Sequence, residues 1–176
     1  VKDRKGLLAQ AAVAADFDGC ICKGGAQRIH HHFGILVGFL AGGWLDQSQH
    51  AGDMEVFAGD VRDRDSVVRA MQDVEIVFHL AALIAIPYSY QAPLSYVQTN
   101  VEGTVNVLQA ARRLSVERFV YVSSGSVYGE GHDPNQPLAE DGPLRHRSLY
   151  AVTKYTSELL TRRYGDLYGL QTVSVR

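Results

Sequence analysis

The chain has 176 residues, 46% of them hydrophobic and 20% charged, with a formal net charge of −2, enough for one domain with a real core. That balance gives no long-range attraction to nucleic acid or to an anionic membrane, and no basic stripe interrupted by aromatics marks either as a partner. Two cysteines, Cys20 and Cys22, make neither a disulfide framework nor a four-thiolate zinc site, which fits a reducing, cytoplasmic setting.

Near the start, Ile21-Cys22-Lys23 runs into Gly24-Gly25-Ala26, a candidate opening for a glycine-rich turn. Asp46 lies about 20 residues beyond Gly25, where an acidic side chain can bind a ribose hydroxyl. His30-His31-His32 do not make a metal site with the two cysteines, because adjacent histidines on a regular element point apart and no second cluster completes a shell. The most apolar run, residues 33–45, is shorter than the roughly 18–20 residues a membrane span needs, so it reads as core. It also lacks the position and cleavage pattern of a secretion signal.

From Met54 onward the pattern alternates. A strand is expected over residues 55–58, a helix over 65–72, a strand over 75–80, a long helix over 93–114 and a strand over 118–123. The long helix carries Val97, Val101, Val105 and Leu108 at helical spacing, with Pro93 suited to its first turn. Residues 125–147 are rich in Gly, Pro and charge and read as a surface loop; Ser148 then caps a helix, and 172–176 form a last strand. Strands separated by helices imply parallel pairing through right-handed crossovers, hence an α/β, doubly wound sheet.

Two places carry chemistry. The strand at 118–123 is apolar and β-branched, and it opens into Ser123-Ser124-Gly125-Ser126-Val127-Tyr128-Gly129. A loop at the carboxyl end of a parallel strand is where open sheets bind ligands, and a serine there can hold a substrate oxygen. Downstream, Tyr150 and Lys154 sit four residues apart on a helix and so share one face. An ammonium beside a phenol favours the phenolate, which is acid-base chemistry suited to an alcohol.

Asp60-Val61-Arg62-Asp63, Val77-Phe78-His79-Leu80-Ala81-Ala82, Thr99-Asn100-Val101-Glu102-Gly103, the serine loop and Tyr150-x-x-x-Lys154 follow one another in register. In that order and spacing the chain resembles the extended short-chain dehydrogenase/reductases, the NAD-dependent epimerase/dehydratase group. The resemblance covers roughly residues 43–176 and leaves 1–42 atypical. It implies a single NAD-binding, Rossmann-like domain over 1–176, with NAD as cofactor and NADP not distinguished.

By the same resemblance the substrate is a nucleotide sugar, and the intact parent is a homodimer through the helices near 93–114 and 148–165. Asp60 would accept from the adenine amine with Val61 beside it. Leu80, Ala81 and Ala82 would line the ribose and phosphates, the alternative being plain core packing. Asn100 would fix geometry near the active site, where a mid-helix asparagine is otherwise unfavourable. Ser124, with Ser123 and Ser126 as fallbacks, would bind the substrate oxygen. Tyr150 would transfer the proton, and Lys154 would bind the nicotinamide ribose and depress the tyrosine pKa.

The chain also departs from the family. Gln27-Arg28-Ile29-His30 stand where further glycines are expected, and their bulk would keep the backbone from a pyrophosphate. Shifted by one nucleotide, the codons for Arg28-Ile29-His30-His31 can encode Gly-Phe-Ile-Thr, which continues the family's turn, so a displaced reading frame is one explanation. Arg176 falls where the family's substrate-binding portion should begin, so the chain is expected to be a fragment lacking it. Dehydratases of the family place carboxylates just before Val-Tyr-Gly, where this chain has Gly125-Ser126. Segments 81–90 and 43–46 nevertheless look similar to 4,6-dehydratases. Removing water needs a proton donor and acceptor, so an epimerase is the leading expectation. The alternatives are a dehydratase, a simple alcohol dehydrogenase and a noncatalytic fragment.

Overall fold

A computed structural model describes residues 20–24, 33–37, 54–129 and 137–176. The candidate glycine turn beyond Gly24, Asp46 and the three histidines lie outside the described residues. Six strands form one sheet in the order β3-β1-β2-β4-β5-β6: β1 is Cys20–Gly24, β2 Phe33–Val37, β3 Met54–Ala58, β4 Ile76–His79, β5 Arg118–Val122 and β6 Gln171–Val175. The parallel expectation holds from β2 through β4 and β5 to β6. At the other edge β1 runs antiparallel to both of its neighbours. Only residues 25–32 join β1 to β2, fewer than the dozen or more that a parallel crossover requires, so the two strands can pair only head to tail.

Helix α1 (Arg64–Ala70) starts at Asp63, whose carboxylate accepts from the Asp65 amide at 3.0 Å and the Ser66 hydroxyl at 2.5 Å. That is a standard N-cap, worth about 1 kcal/mol. Helix α2 (Ile86–Gln91), absent from the expected pattern, places Pro87 in its first turn. The expected helix over 93–114 follows a helical path in three pieces: α3 (Pro93–Tyr96), a π-helical stretch (Val97–Glu102) and α4 (Gly103–Arg113). Helix α5 (Leu149–Tyr168) begins where Ser148 Oγ accepts from the Ala151 amide at 3.0 Å, as the sequence predicts, and ends at Gly169, whose φ of 71° suits a glycine C-cap.

Helices α1, α4 and α5 pack side by side as a layer. Beneath them alternate strand residues Val77, Phe119 and Tyr121 are fully buried and join Val67, Val107 and Leu108 in one core. Each such side chain contributes about 1.5–3 kcal/mol by leaving water. The opposite face carries Phe78, Val120 and Val122, half-buried, and Val173 and Val175, exposed. Among the described residues no helix is long and apolar enough to cross a membrane.

Candidate active site

Strands β3 and β2 both run against β1, and β4 and β5 run with β2. The carboxyl ends of β3, β4 and β5 therefore open on one edge of the sheet. The loops that follow them carry Asp60-Val61, Leu80-Ala81-Ala82 and the serine loop. This is the edge at which α/β sheets bind ligands.

Tyr150 and Lys154 occupy the first two turns of α5 and are both buried. Lys154 Nζ donates to the carbonyl of Val122, the last residue of β5, at 2.6 Å and stands 4.5 Å over the Tyr121 ring. The expected helix thus delivers its amine to the head of the serine loop. Burial pushes that amine down to about 8. Tyr121 donates from its hydroxyl to the Lys154 carbonyl at 3.2 Å, and burial pushes its own phenol up. His79, fully buried against Phe119 and Tyr121, shares a 2.9 Å contact with Thr104 Oγ1. Burial, aided by the Lys154 charge, pushes its imidazole down to about 3, so it stays neutral near pH 7.

The three serines have different surroundings. Ser123 is buried and donates to Glu158 Oε2 at 2.8 Å. Ser124, half-buried and extended, caps the 3-10 turn Gly125–Tyr128, accepting from the Ser126 amide at 3.2 Å and the Ser126 hydroxyl at 2.9 Å. Gly129 closes the loop at a φ of 77°, and a β-carbon there would collide with the Arg145 carbonyl. That close approach explains a glycine here.

Asn100 sits in the π-helical stretch, where the Gly103 amide reaches five residues back to the Gln98 carbonyl. Its side-chain oxygen accepts from the Leu83 amide at 2.7 Å, and its side-chain nitrogen donates to the Leu83 carbonyl and to Thr153 Oγ1, each at 3.0 Å. The Asn100 carbonyl accepts from Thr104 and Ser157 hydroxyls, each at 2.6 Å. One buried asparagine thus ties the loop after β4 to the helix that bears Tyr150 and Lys154. Such π stretches concentrate at functional sites.

Asp60 lies further along the same edge. Its carboxylate forms a fork with Arg62, with contacts of 2.5–3.0 Å, and also accepts from the Arg62 amide at 2.8 Å; the hydrogen bonds from Arg62 hold it below the usual carboxylate range. Asn106 braces this loop by donating to the Val61 and Arg62 carbonyls at 3.0 and 3.1 Å. The Val61 side chain points into the core against Gly103, and Ala81 belongs to the same core. Ala82 is buried and Leu80 half-buried. This edge thus offers a dinucleotide an acceptor at Asp60, already forked with Arg62, small residues at Ala81 and Ala82, and the amine of Lys154.

Four participants carried no signal of their own in the sequence: Thr153, Ser157, Glu158 and Arg176. Only Thr153 and Ser157 leave a trace, on α5, where Tyr150, Thr153, Lys154, Ser157 and Thr161 repeat at helical spacing and are all buried. A buried polar stripe of that kind marks a network rather than a packing face.

Residues 40–176 match the NAD dependent epimerase/dehydratase family. A putative UDP-glucose 4-epimerase from Methanocaldococcus jannaschii is 36% identical over 125 residues, 69% of this chain and 40% of that protein. The chain spans 30–41% of the length of three further curated relatives. Among solved structures, the UDP-glucose 4-epimerase of Thermus thermophilus in complex with NAD is similar at a TM-score of 0.63 and 35% identity, over 67% of this chain and 39% of that one. A dTDP-glucose 4,6-dehydratase from Streptomyces venezuelae with NAD bound gives a TM-score of 0.62 and 34% identity, over 66% and 35% of the two chains. By this match, which spans the edge where the serine loop, Tyr150 and Lys154 lie, the chain belongs to the NAD dependent epimerase/dehydratase family.

Proposed function

We propose that this protein is an NAD-dependent epimerase of a nucleotide sugar, working by transient oxidation of a substrate alcohol. The observation that carries the reading is the 2.6 Å bond from Lys154 to Val122, which sets the amine of the Tyr-x-x-x-Lys pair at the threshold of the serine loop. Ser124 binds the sugar hydroxyl. Tyr150 takes its proton as the carbon is oxidised and returns it after the ketone has turned its other face. Lys154 holds the nicotinamide ribose, Asp60 with Val61 the adenine end, and Leu80, Ala81 and Ala82 the ribose and phosphate side between them. Bound NAD supplies the hydride acceptor and donor. Asn100 keeps the loop after β4 in register with α5.

An epimerase is favoured over a dehydratase because Gly125 and Ser126 bring no carboxyl to the loop, and the Ser126 hydroxyl is engaged with Ser124. The dehydratase stays as the second reading because one of the similar structures is such an enzyme. Exposed Leu94 and Val97, with Val152 and Leu159 on α5, supply the apolar surface for the homodimer. Product analysis of the full-length gene product with UDP-sugars and NAD separates the readings. The epimer with no net NADH is expected; a keto-deoxy sugar or accumulating NADH contradicts it.

A further inference from the structure

We propose that Glu158 is the positioning residue that fixes the serine loop to α5 and so sets Ser124 relative to Tyr150 and Lys154; its catalytic meaning rests on the reading above. Glu158 lies one turn beyond Lys154, itself one turn beyond Tyr150. Its carboxylate accepts from Ser123 Oγ at 2.8 Å and from Arg176 in a fork, Nε at 3.1 Å to both oxygens and Nη2 at 2.5 Å. Arg176 in turn donates from Nη1 to the Tyr128 hydroxyl and to the Glu140 carbonyl, each at 2.9 Å. The loop is thus gripped at both ends, at Ser123 directly and at Tyr128 through the guanidinium.

The two side chains are only 24% and 12% exposed for Arg176 and Glu158, so the pair is little screened by solvent. Burial pushes the Glu158 carboxyl up, but the hydrogen bonds from Arg176 and Ser123 outweigh it and leave the group ionised below its ordinary range. A forked arginine–carboxylate contact fixes direction as well as distance. Removing either partner strands the other charge, so the arrangement is all or nothing. Lys154 holds the end of β5, and Glu158 holds the loop that follows. Both hang on one helix, so Ser124, Tyr150 and Lys154 move as a unit.

Hydrogen exchange on the 176-residue chain tests the clamp without any assay. In Glu158→Ala the amides of Val127 and Gly129, bonded to the Ser124 and Ser126 carbonyls, should exchange at least about tenfold faster, with α5 and β5 still protected. Glu158→Gln, which keeps an acceptor for Ser123 but not the charge for Arg176, should show a smaller, loop-confined effect and serves if the alanine variant does not fold. In the full-length gene product, Glu158→Ala should lower kcat by about tenfold or more, with KM for the sugar and NAD affinity within roughly twofold.

Unchanged exchange with unchanged kcat overturns the proposal. So does a loss of protection throughout α5, or kcat and NAD affinity falling together, either of which marks a residue that only stabilises the fold. Should the unsubstituted protein turn over no nucleotide sugar, the functional reading fails and loop exchange alone decides the role of Glu158.

Discussion

Lys154 carries a cost that the pH dependence of folding exposes. An amine pushed down to about 8 from its ordinary 10.5 binds its proton less tightly folded than unfolded. Its burial therefore destabilises the chain below pH 8, and that penalty fades as pH rises from about 8 to 10.5. We expect the urea midpoint of the chain, relative to Lys154→Met, to climb across this window; a constant difference contradicts the burial of a charged amine. Asp60 has the opposite sign, since its carboxyl is held low by Arg62. Its stabilisation is present above the ordinary carboxylate pKa and is lost as pH falls through the depressed value.

At this scale helical spacing places Tyr150 and Lys154 on one face, and it is the serine loop upstream and the motifs in register with it that single the pair out. Ser124 is singled out by the family resemblance alone; Ser123 donates to Glu158, and Ser124 accepts from Ser126. Glu158 was not legible. A glutamate one turn along a helix is ordinarily solvated, and what buries this one is Arg176, distant in sequence.

Among the elements, the junction between the π-helical stretch and α4 is set by close approach. A β-carbon on Gly103 would stand 2.7 Å from Val61 Cγ2 and 3.2 Å from Val61 Cβ, and a buried valine is too stiff to yield. Gly103→Ala should therefore cost about 1–3 kcal/mol of stability in a denaturation titration. Pairing it with Val61→Ala should recover part of the loss. Equal stability of Gly103→Ala and the parent would show that the contact is slack. The valines predict a helix through this region, but nothing in their spacing predicts its π register, where the Asn100 carbonyl also accepts from Ser157, brought there from α5 by packing. Helix α2 leaves no sequence pattern for a different reason: six residues opening on Ile86-Pro87 are too few to show a period.

For the whole molecule, the alternating pattern after Met54 accounts for β4, β5 and β6, which pair parallel through crossovers that each contain a helix; β2, their parallel neighbour, lies in the apolar run before Met54, which shows no such alternation. The antiparallel β1 departs from the expected parallel pairing and follows from the short span before β2, a constraint of chain length rather than residue type. Parallel sheets are normally covered on both faces, yet Val173 and Val175 are 48% and 51% exposed beside half-buried Val120 and Val122. We expect the chain to enhance the fluorescence of anilinonaphthalene sulfonate, and Val173→Thr with Val175→Thr to reduce that signal. No enhancement by the chain would mean this face is covered in solution.

In the proposed reaction a phenol on α5, that of Tyr150, moves the substrate's proton beside the serine loop. That step is tested most directly by comparing kcat of the full-length gene product and its Tyr150→Phe variant on the epimerised sugar, with NAD affinity measured alongside. We expect a fall in kcat of about 10²–10⁴-fold with NAD affinity nearly unchanged. A variant that turns over at the parent's rate would contradict it.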